Sequence, residues 1–158
     1  MIVRPAEPRD LAGVAAIYNE GIDGRQATFE TRHRTGDDLA PLLGARHLLL
    51  VSERDGEVVG WATLSPYSGR QAYAGVAEFA VYVANAARRR GVGRALIAEL
   101  ARRAQQRGVH KIVGKVLSSN DASLALLREC GFREVGVHHR HGRLDGTWRD
   151  VTLVELLL

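Results

Sequence analysis

The stretch from Val76 to Arg107 limits the fold more than any other part of the chain. It opens with an apolar run, Val76-Ala-Glu-Phe-Ala-Val-Tyr-Val83, of strand length and composition. A short polar turn leads to Arg88-Arg-Arg-Gly-Val-Gly-Arg94, and the chain then runs as a helix to about Arg107. Ala95, Leu96, Leu100 and Ala104 form the apolar face of that helix, and Gly108 is placed to stop it. Lys111-Ile-Val-Gly-Lys-Val-Leu117 follows as a second strand, so the segment reads as a strand-helix-strand crossover, the connection that parallel strands require. The turn also reads as an anion site. First-turn amides of a helix have no intrahelical partner, and the helix dipole favours negative charge there. Arginines add charge-assisted hydrogen bonds, and Gly91 and Gly93 let the backbone approach a ligand. The ligand expected here carries phosphate.

The elements around the crossover are shorter. Ile2-Val-Arg-Pro-Ala6 reads as a strand, and Pro8 opens a helix whose apolar face is Leu11, Val14, Ile17 and Tyr18 and which ends at Asn19-Glu-Gly21. An irregular stretch, Ile22 to Arg34, puts Phe29 and Glu30 in a loop. Thr35 with Asp38 forms a capping box for a second helix, which Pro41 keeps short. Leu48–Val51 and Val58–Leu64 are strands joined by Asp55-Gly56, a strong hairpin signal. Ser65 to Ala74 is a loop carrying Arg70 and Tyr73. After the crossover, Ser118-Ser-Asn-Asp121 opens a helix from about Ala122 to Cys130. Phe132–His139 is a strand, Arg140–Thr147 a loop and Trp148–Leu157 the last strand. The order β-α-α-β-β-β-α-β-α-β-β, antiparallel first and crossing over later, places the chain in the α+β or mixed α/β class.

The 158 residues suit one domain, 1–158, with no internal repeat or linker. No apolar run reaches membrane-spanning length, and Met1-Ile-Val-Arg4 does not begin a signal peptide. A single cysteine excludes an intrachain disulfide and a cysteine zinc cluster, so a cytoplasmic protein without membrane contact is expected. The net charge of +4 fits nucleic acid or an anionic small molecule equally. His138, His139 and His141 lack the HExxH pattern or a cysteine partner, so no metal is expected.

Three glycine-rich patterns compete for the anion. A dinucleotide fingerprint needs a third glycine or alanine three residues after the second, where this chain has Leu96. A P-loop needs lysine then serine or threonine, whereas Gly114-Lys115 is followed by Val116 inside a strand. The pattern Arg/Gln-x-x-Gly-x-Gly/Ala is met by Arg88, Gly91 and Gly93, between a strand and a helix, with Asn120 downstream.

On these residues the chain resembles the GNAT superfamily of acetyl-CoA-dependent N-acetyltransferases, from Ile2-Val-Arg4 to Trp148-Arg-Asp-Val151. The resemblance implies a mixed, mostly antiparallel sheet of six to seven strands with about four helices and a β-α-β crossover splayed around acetyl-CoA. Ile17-Tyr-Asn19, Ala27-Thr-Phe-Glu30, Arg70-Gln-Ala-Tyr73, Glu78 to Tyr82-Val83, Asn120-Asp121 with Ser123, and Trp148-x-Asp150-Val151 are similar to the phosphinothricin acetyltransferase group. Members acetylate the α-amino group of glutamate-like compounds such as phosphinothricin, methionine sulfoximine or arsinothricin. Ile22–Glu30 and His141–Trp148 look most like the arsinothricin-resistance branch.

The resemblance assigns roles by position. Arg88, Arg89 and Arg94, with amides from Gly91, Val92, Gly93 and Arg94, hold the pyrophosphate. Val81, Tyr82 and Val83 pair with the pantetheine arm, and a backbone N–H there serves as oxyanion donor. Asn120 and Ser123 contact the cofactor, although Asn120 is equally suited to cap the helix. Phe29, Glu30, Arg70, Tyr73 and His141 face a small amino-acid-like substrate. Glu78, flanked by Val76, Ala77, Phe79, Ala80 and Val81, is the expected base; partial burial among them favours its protonated form, and the family glutamate acts through water. A homodimer formed through C-terminal regions is expected.

One position departs from the family. Many members carry a tyrosine seven residues after the asparagine, proposed to protonate the leaving thiolate; here it is Leu127. Water, Tyr73 or His141 remains open for that role, as does departure of the unprotonated thiolate. Cys130, at the end of the apolar face of Leu124, Leu126 and Leu127, reads as a buried hydrophobe rather than a nucleophile. Two rival functions stand beside the amino-acid acetyltransferase. One is a protein N-terminal acetyltransferase, which needs an open peptide groove. The other is a silent acetyl-CoA or nucleic-acid binder, for which the chain lacks an aromatic stacking platform.

Overall fold

The computed structural model describes residues 1–158. β1 (Ile2–Pro5) leads through a 3-10 turn at Pro8–Asp10 into α1 (Leu11–Gly24), and α2 (Gly36–Leu39) follows after a loop. β2 (Leu48–Arg54), β3 (Glu57–Pro66) and β4 (Val76–Val83) come next. Then come α3 (Val92–Gln106), β5 (Lys111–Leu117), α4 (Asp121–Glu129), β6 (Arg133–Leu144) and β7 (Thr147–Leu157). The seven strands form one sheet in the order β1-β2-β3-β4-β5-β7-β6, antiparallel except for β4–β5. This is the mixed, mostly antiparallel sheet with four α-helices expected from the sequence. No helix is long and apolar enough to cross a membrane.

The sheet is covered on both faces, but unequally. On one face α3 and α4 bury Leu96, Leu100, Leu124 and Leu127 against Leu50, Phe79, Ile112 and Val154. On the other, α1 and α2 pack Leu11, Val14, Ile17 and Leu39 against Leu49, Val51 and Trp61, with Tyr18 and Tyr82 at the margin. Trp61 stacks on Tyr82 with ring centroids 4.6 Å apart, and Tyr18 meets Tyr82 edge-on at 5.2 Å. This second layer draws only on β2, β3 and the far end of β4. The same face over β5 and β7 has no helix on it.

Local signals act as the sequence predicts in several places. Thr35 and Asp38 exchange capping-box hydrogen bonds of 3.2 and 2.8 Å, and the chain tightens into a 3-10 turn at Ala40–Leu43 where Pro41 cannot continue α2. Two expectations need correction. Gly21 does not end α1, which continues to Gly24 and stops at left-handed Arg25; Gly21 is instead where the helix meets the sheet, since a Cβ there would stand 3.1 Å from the Tyr82 ring. The expected Arg140–Thr147 loop is strand: β6 runs on to Leu144 and turns at Asp145-Gly146. Nearly every β6 side chain is exposed on this edge strand, and the register shifts between His138 and Gly142. The alternation that marks a half-buried strand is therefore missing.

One polar group is buried at the start of the chain. Asp10, 5% exposed, accepts hydrogen bonds from the Arg4 guanidinium at 2.8 and 2.9 Å and from the Glu7 amide at 2.7 Å. Arg4 also donates to Glu53 at 2.6 Å, tying β1 to β2. The Arg4 guanidinium holds the Asp10 carboxyl below the usual carboxylate range. A carboxyl whose folded pKa is lowered stabilises the fold fully above its unfolded pKa, about 3.9, and the contribution disappears as pH falls through the lower folded value. Urea midpoints should therefore drop steeply below about pH 4. Asp10→Asn should lose about 1–2 kcal/mol at pH 7 and show a shallower acid decline; an unchanged acid limb would separate Asp10 from the effect.

Candidate active site

The site begins where two parallel strands part. β4 and β5 pair only at Val76–Lys111, Ala77–Ile112 and Glu78–Val113. Beyond Glu78, β4 stays on β3 while β5 stays on β7 through seven paired positions. The gap widens into a cavity of about 980 Å³. Its walls are Val81, Tyr82 and Val83 of β4, the Arg88–Arg94 turn, the start of α4 at Asn120–Ser123, and the chain leaving α1 at Gly24–Ala27. The β4 wall offers free backbone groups. Ala84 donates to Val59 at 2.9 Å, and bonding alternates along an antiparallel ladder, so the N–H and C=O of Val81 and Val83 face the gap.

The turn is a concave array of donors. None of the backbone amides from Arg89 to Arg94 donates to another protein group. Arg89 and Gly91 adopt positive φ, 60° and 81°, and Gly91 is the N-cap of α3. Successive amides in such alternating conformations converge into an anion cradle at the positive end of the helix. The two glycines differ in use. A Cβ at Gly91 would meet nothing within 4 Å, so its requirement is backbone conformation. A Cβ at Gly93 would lie 2.7 Å from a Leu126 methyl, so Gly93 lets α4 close against α3 and fixes the distance between the walls. The arginines differ as well. Arg88 and Arg89 line the cavity and make no ion pair, whereas Arg94, expected to be a ligand, pairs at 2.6 Å with Glu129.

Asn120 does both things its sequence position allows. Its side chain accepts from the Ser123 amide at 3.2 Å, capping α4, and donates to the Gln26 carbonyl at 3.0 Å. Ser119 donates to the Gln26 side chain at 2.7 Å, and Tyr82 donates to the Ala27 carbonyl at 3.4 Å. Gln26 and Ala27 thus strap one wall of the cleft to the other. Both lie in the stretch Ile22–Glu30 that carries the family resemblance, but their part as a strap is not legible there, because it is made by their backbone and one amide. Burial raises the Tyr82 hydroxyl pKa, so Tyr82 acts here as a neutral donor.

Glu78 stands at the apex, outside the cavity lining. At a strand rise of about 3.3 Å per residue it lies roughly 10 Å along β4 from Val81. The partial burial expected of it is present, since Glu78 is half-buried, but only Val76 and Ala80 among its apolar sequence neighbours share its face. Side chains alternate along a strand, and Ala77 and Phe79 point into the α3 core on the other face. The Glu78 side chain is 39% exposed, on the part of its face that no helix covers, with its carboxylate 4.0 Å from the Lys115 ammonium.

The residues expected around a substrate fall into two groups, neither lining the cavity. Arg70 lies over the Tyr73 ring at 5.6 Å, and Tyr67 meets Tyr73 edge-on. They occupy the β3–β4 connection, which returns directly to Glu78 through the Pro66–Ala77 and Ser65–Glu78 pairs. Phe29 lies against β6, where a Cβ on Gly142 would come 2.5 Å from its ring. The adjacent His141 stacks on His138 at 4.3 Å, and Glu30 pairs with Arg34 at 2.7 Å. Leu127 is buried in the core, and Cys130 packs at its edge, where burial raises the thiol pKa. Asp150 accepts from the Arg140 amide at 2.7 Å, holding the β6 bulge against β7. No three His, Cys, Asp or Glu side chains converge to hold a metal ion.

Residues 14–132 match the family model described as acetyltransferase (GNAT) family. The L-methionine sulfoximine/L-methionine sulfone acetyltransferase of Pseudomonas aeruginosa is 32% identical, over 99% of this chain and 94% of that protein. Among solved structures, the ribosomal-protein-alanine N-acetyltransferase of Brucella melitensis superposes with a TM-score of 0.94 at 33% identity, covering 100% of both chains. The phosphinothricin acetyltransferase of Sinorhizobium meliloti in complex with acetyl-CoA gives 0.92 at 27% identity, over 99% of this chain and 88% of that one.

Proposed function

The chain belongs to the acetyltransferase (GNAT) family, and we propose that it transfers acetyl from acetyl-CoA to the α-amino group of a glutamate-like amino acid. Methionine sulfoximine, phosphinothricin and arsinothricin are the substrates proposed. The observation that carries this reading is the cleft itself: six unpaired amides at one end, free β4 backbone along one wall, and a carboxylate where the strands meet. These features fit acetyl-CoA. The Arg89–Arg94 amides with Arg88 and Arg89 would hold the pyrophosphate, and Val81 and Val83 would pair with the amide-bearing arm. Asn120 and Ser123 close the opposite wall.

The chemistry then falls to few groups. Glu78 accepts a proton from the substrate ammonium through water. The freed nitrogen attacks the thioester carbon, and a β4 amide near Val81 to Val83 donates to the developing oxyanion. As the C–N bond forms, the C–S bond breaks and its electron pair leaves on sulfur. Of the two protons the nitrogen sheds, one goes to Glu78 and the other reaches the sulfur through water. Leu127, apolar and buried, cannot supply it. Phe29, Glu30, Arg70, Tyr73 and His141 are proposed to shape the substrate side. The exposed apolar residues Val137 of β6 and Trp148 of β7, on one face of this edge hairpin, support pairing of two copies there, which sedimentation equilibrium would detect as twice the chain mass. We place the protein in the cytoplasm, without nucleic acid.

The near-complete superposition on a ribosomal-protein acetyltransferase supports a second reading, acetylation of a protein N-terminus. Thiol release from acetyl-CoA with the three amino acids and a set of basic peptides separates the two. Release with at least one amino acid is expected; release with peptides alone would establish the second reading instead.

A further inference from the structure

We infer that Lys115 completes the substrate site by binding the α-carboxylate of the amino acid whose ammonium Glu78 receives. The inference rests on the amino-acid reading above. Glu78 and Lys115 lie on the same face of neighbouring strands, since Glu78 pairs with Val113 and Lys115 stands two residues further along β5. Their charged atoms are 4.0 Å apart. Lys115 has no other acidic partner and makes no hydrogen bond, and its side chain is 63% exposed. Lys111, two strand positions before Val113, is engaged by Glu155, which Arg133 also holds at 2.5 Å. Of the β5 lysines on this face, only Lys115 keeps its ammonium available. No helix covers it, because the α1–α2 layer stops at β4.

A carboxylate and an ammonium side by side are the mirror of an α-amino acid head group, which carries its ammonium and carboxylate on one carbon. Laid over the pair, the zwitterion meets opposite charge at both ends, its carboxylate on Lys115 directly and its ammonium on Glu78 through the relaying water. An exposed pair at this separation is weakly held and yields readily to such a ligand. A peptide N-terminus offers the ammonium with an uncharged carbonyl beside it and leaves Lys115 without a partner. The arrangement therefore selects free amino acids over peptides at the atoms next to the reacting nitrogen. Lys115 is also where the notion of a phosphate loop at Gly114-Lys115 fails on the sequence pattern: inside a strand its ammonium turns to the sheet face instead.

Steady-state acetylation of methionine sulfoximine and its α-carboxamide by wild type, Lys115→Met and Lys115→Arg tests this. Wild type should favour the acid by roughly 10- to 100-fold in kcat/KM, the range of one charge-assisted hydrogen bond. Lys115→Met should lose that preference through KM for the acid, with the carboxamide unaffected, and Lys115→Arg should retain most of it. No preference in wild type, or an equal loss on both substrates with a shifted kcat–pH profile, would overturn the assignment, the latter leaving Lys115 a role only in setting Glu78. Wild type active on peptides and inactive on both small amines would instead overturn the amino-acid reading.

Discussion

Glu78→Gln should lower kcat by about 10²- to 10⁴-fold and leave acetyl-CoA affinity unchanged. The amide keeps the shape of the side chain and cannot take a proton from the substrate ammonium. Nothing in the cradle touches this position, because Glu78 lies outside the cavity lining and the unpaired amides lie beyond the end of β4. Calorimetric titration with acetyl-CoA and kcat across pH measure the two effects separately. Raising the pH should rescue the variant in part, since more substrate amine is then neutral before it binds. Near-normal turnover at neutral pH would remove Glu78 from the chemistry. The loss of the Lys115 neighbour does not confound the result, since a pair this exposed contributes little to stability.

Gly91→Val should weaken acetyl-CoA binding by about 10- to 100-fold and destabilise the fold by about 1–3 kcal/mol, because a β-branched residue is strained at positive φ. Gly91 sits at φ 81°, and relieving the strain would turn the Arg89–Arg94 amides away from a common centre. Gly56, in the β2–β3 hairpin, has the same φ of 81° and open space around its Cβ position. Gly56→Val therefore carries the strain without the site. It should match the loss of stability and leave acetyl-CoA affinity intact. Equal affinity losses in the two variants would mean that Gly91 acts through stability alone.

What the sequence discloses and what it conceals follow from the range of the forces involved. The crossover, the Asp55-Gly56 hairpin and the Thr35 capping box are local patterns, and each forms where the pattern lies. The anion turn is also local, since its donors are consecutive amides. Distant neighbours are not legible. Gly21 reads as a helix stop until Tyr82 is placed against it, and the packing role of Gly93 shows only once Leu126 is placed against its missing Cβ. The pairing of the Arg94 side chain with Glu129 is likewise hidden, because only the packing of α4 on α3 brings Glu129 to it. The length of β6 is hidden for a different reason: an edge strand exposed along nearly its whole length has no apolar alternation to reveal it. Glu78 is half-buried and no more, because Ala77 and Phe79 beside it in sequence belong to the opposite face.

The destination of the acetyl group is the most direct readout of the proposed reaction. Incubation of the purified chain with acetyl-CoA and methionine sulfoximine, followed by mass spectrometry and NMR of the small-molecule product, identifies the acetylated atom. The prediction is one acetyl on the α-nitrogen and one free coenzyme A thiol for each product formed. Coenzyme A released without an acetylated amino acid, or acetyl found on another nitrogen of the substrate, would contradict it.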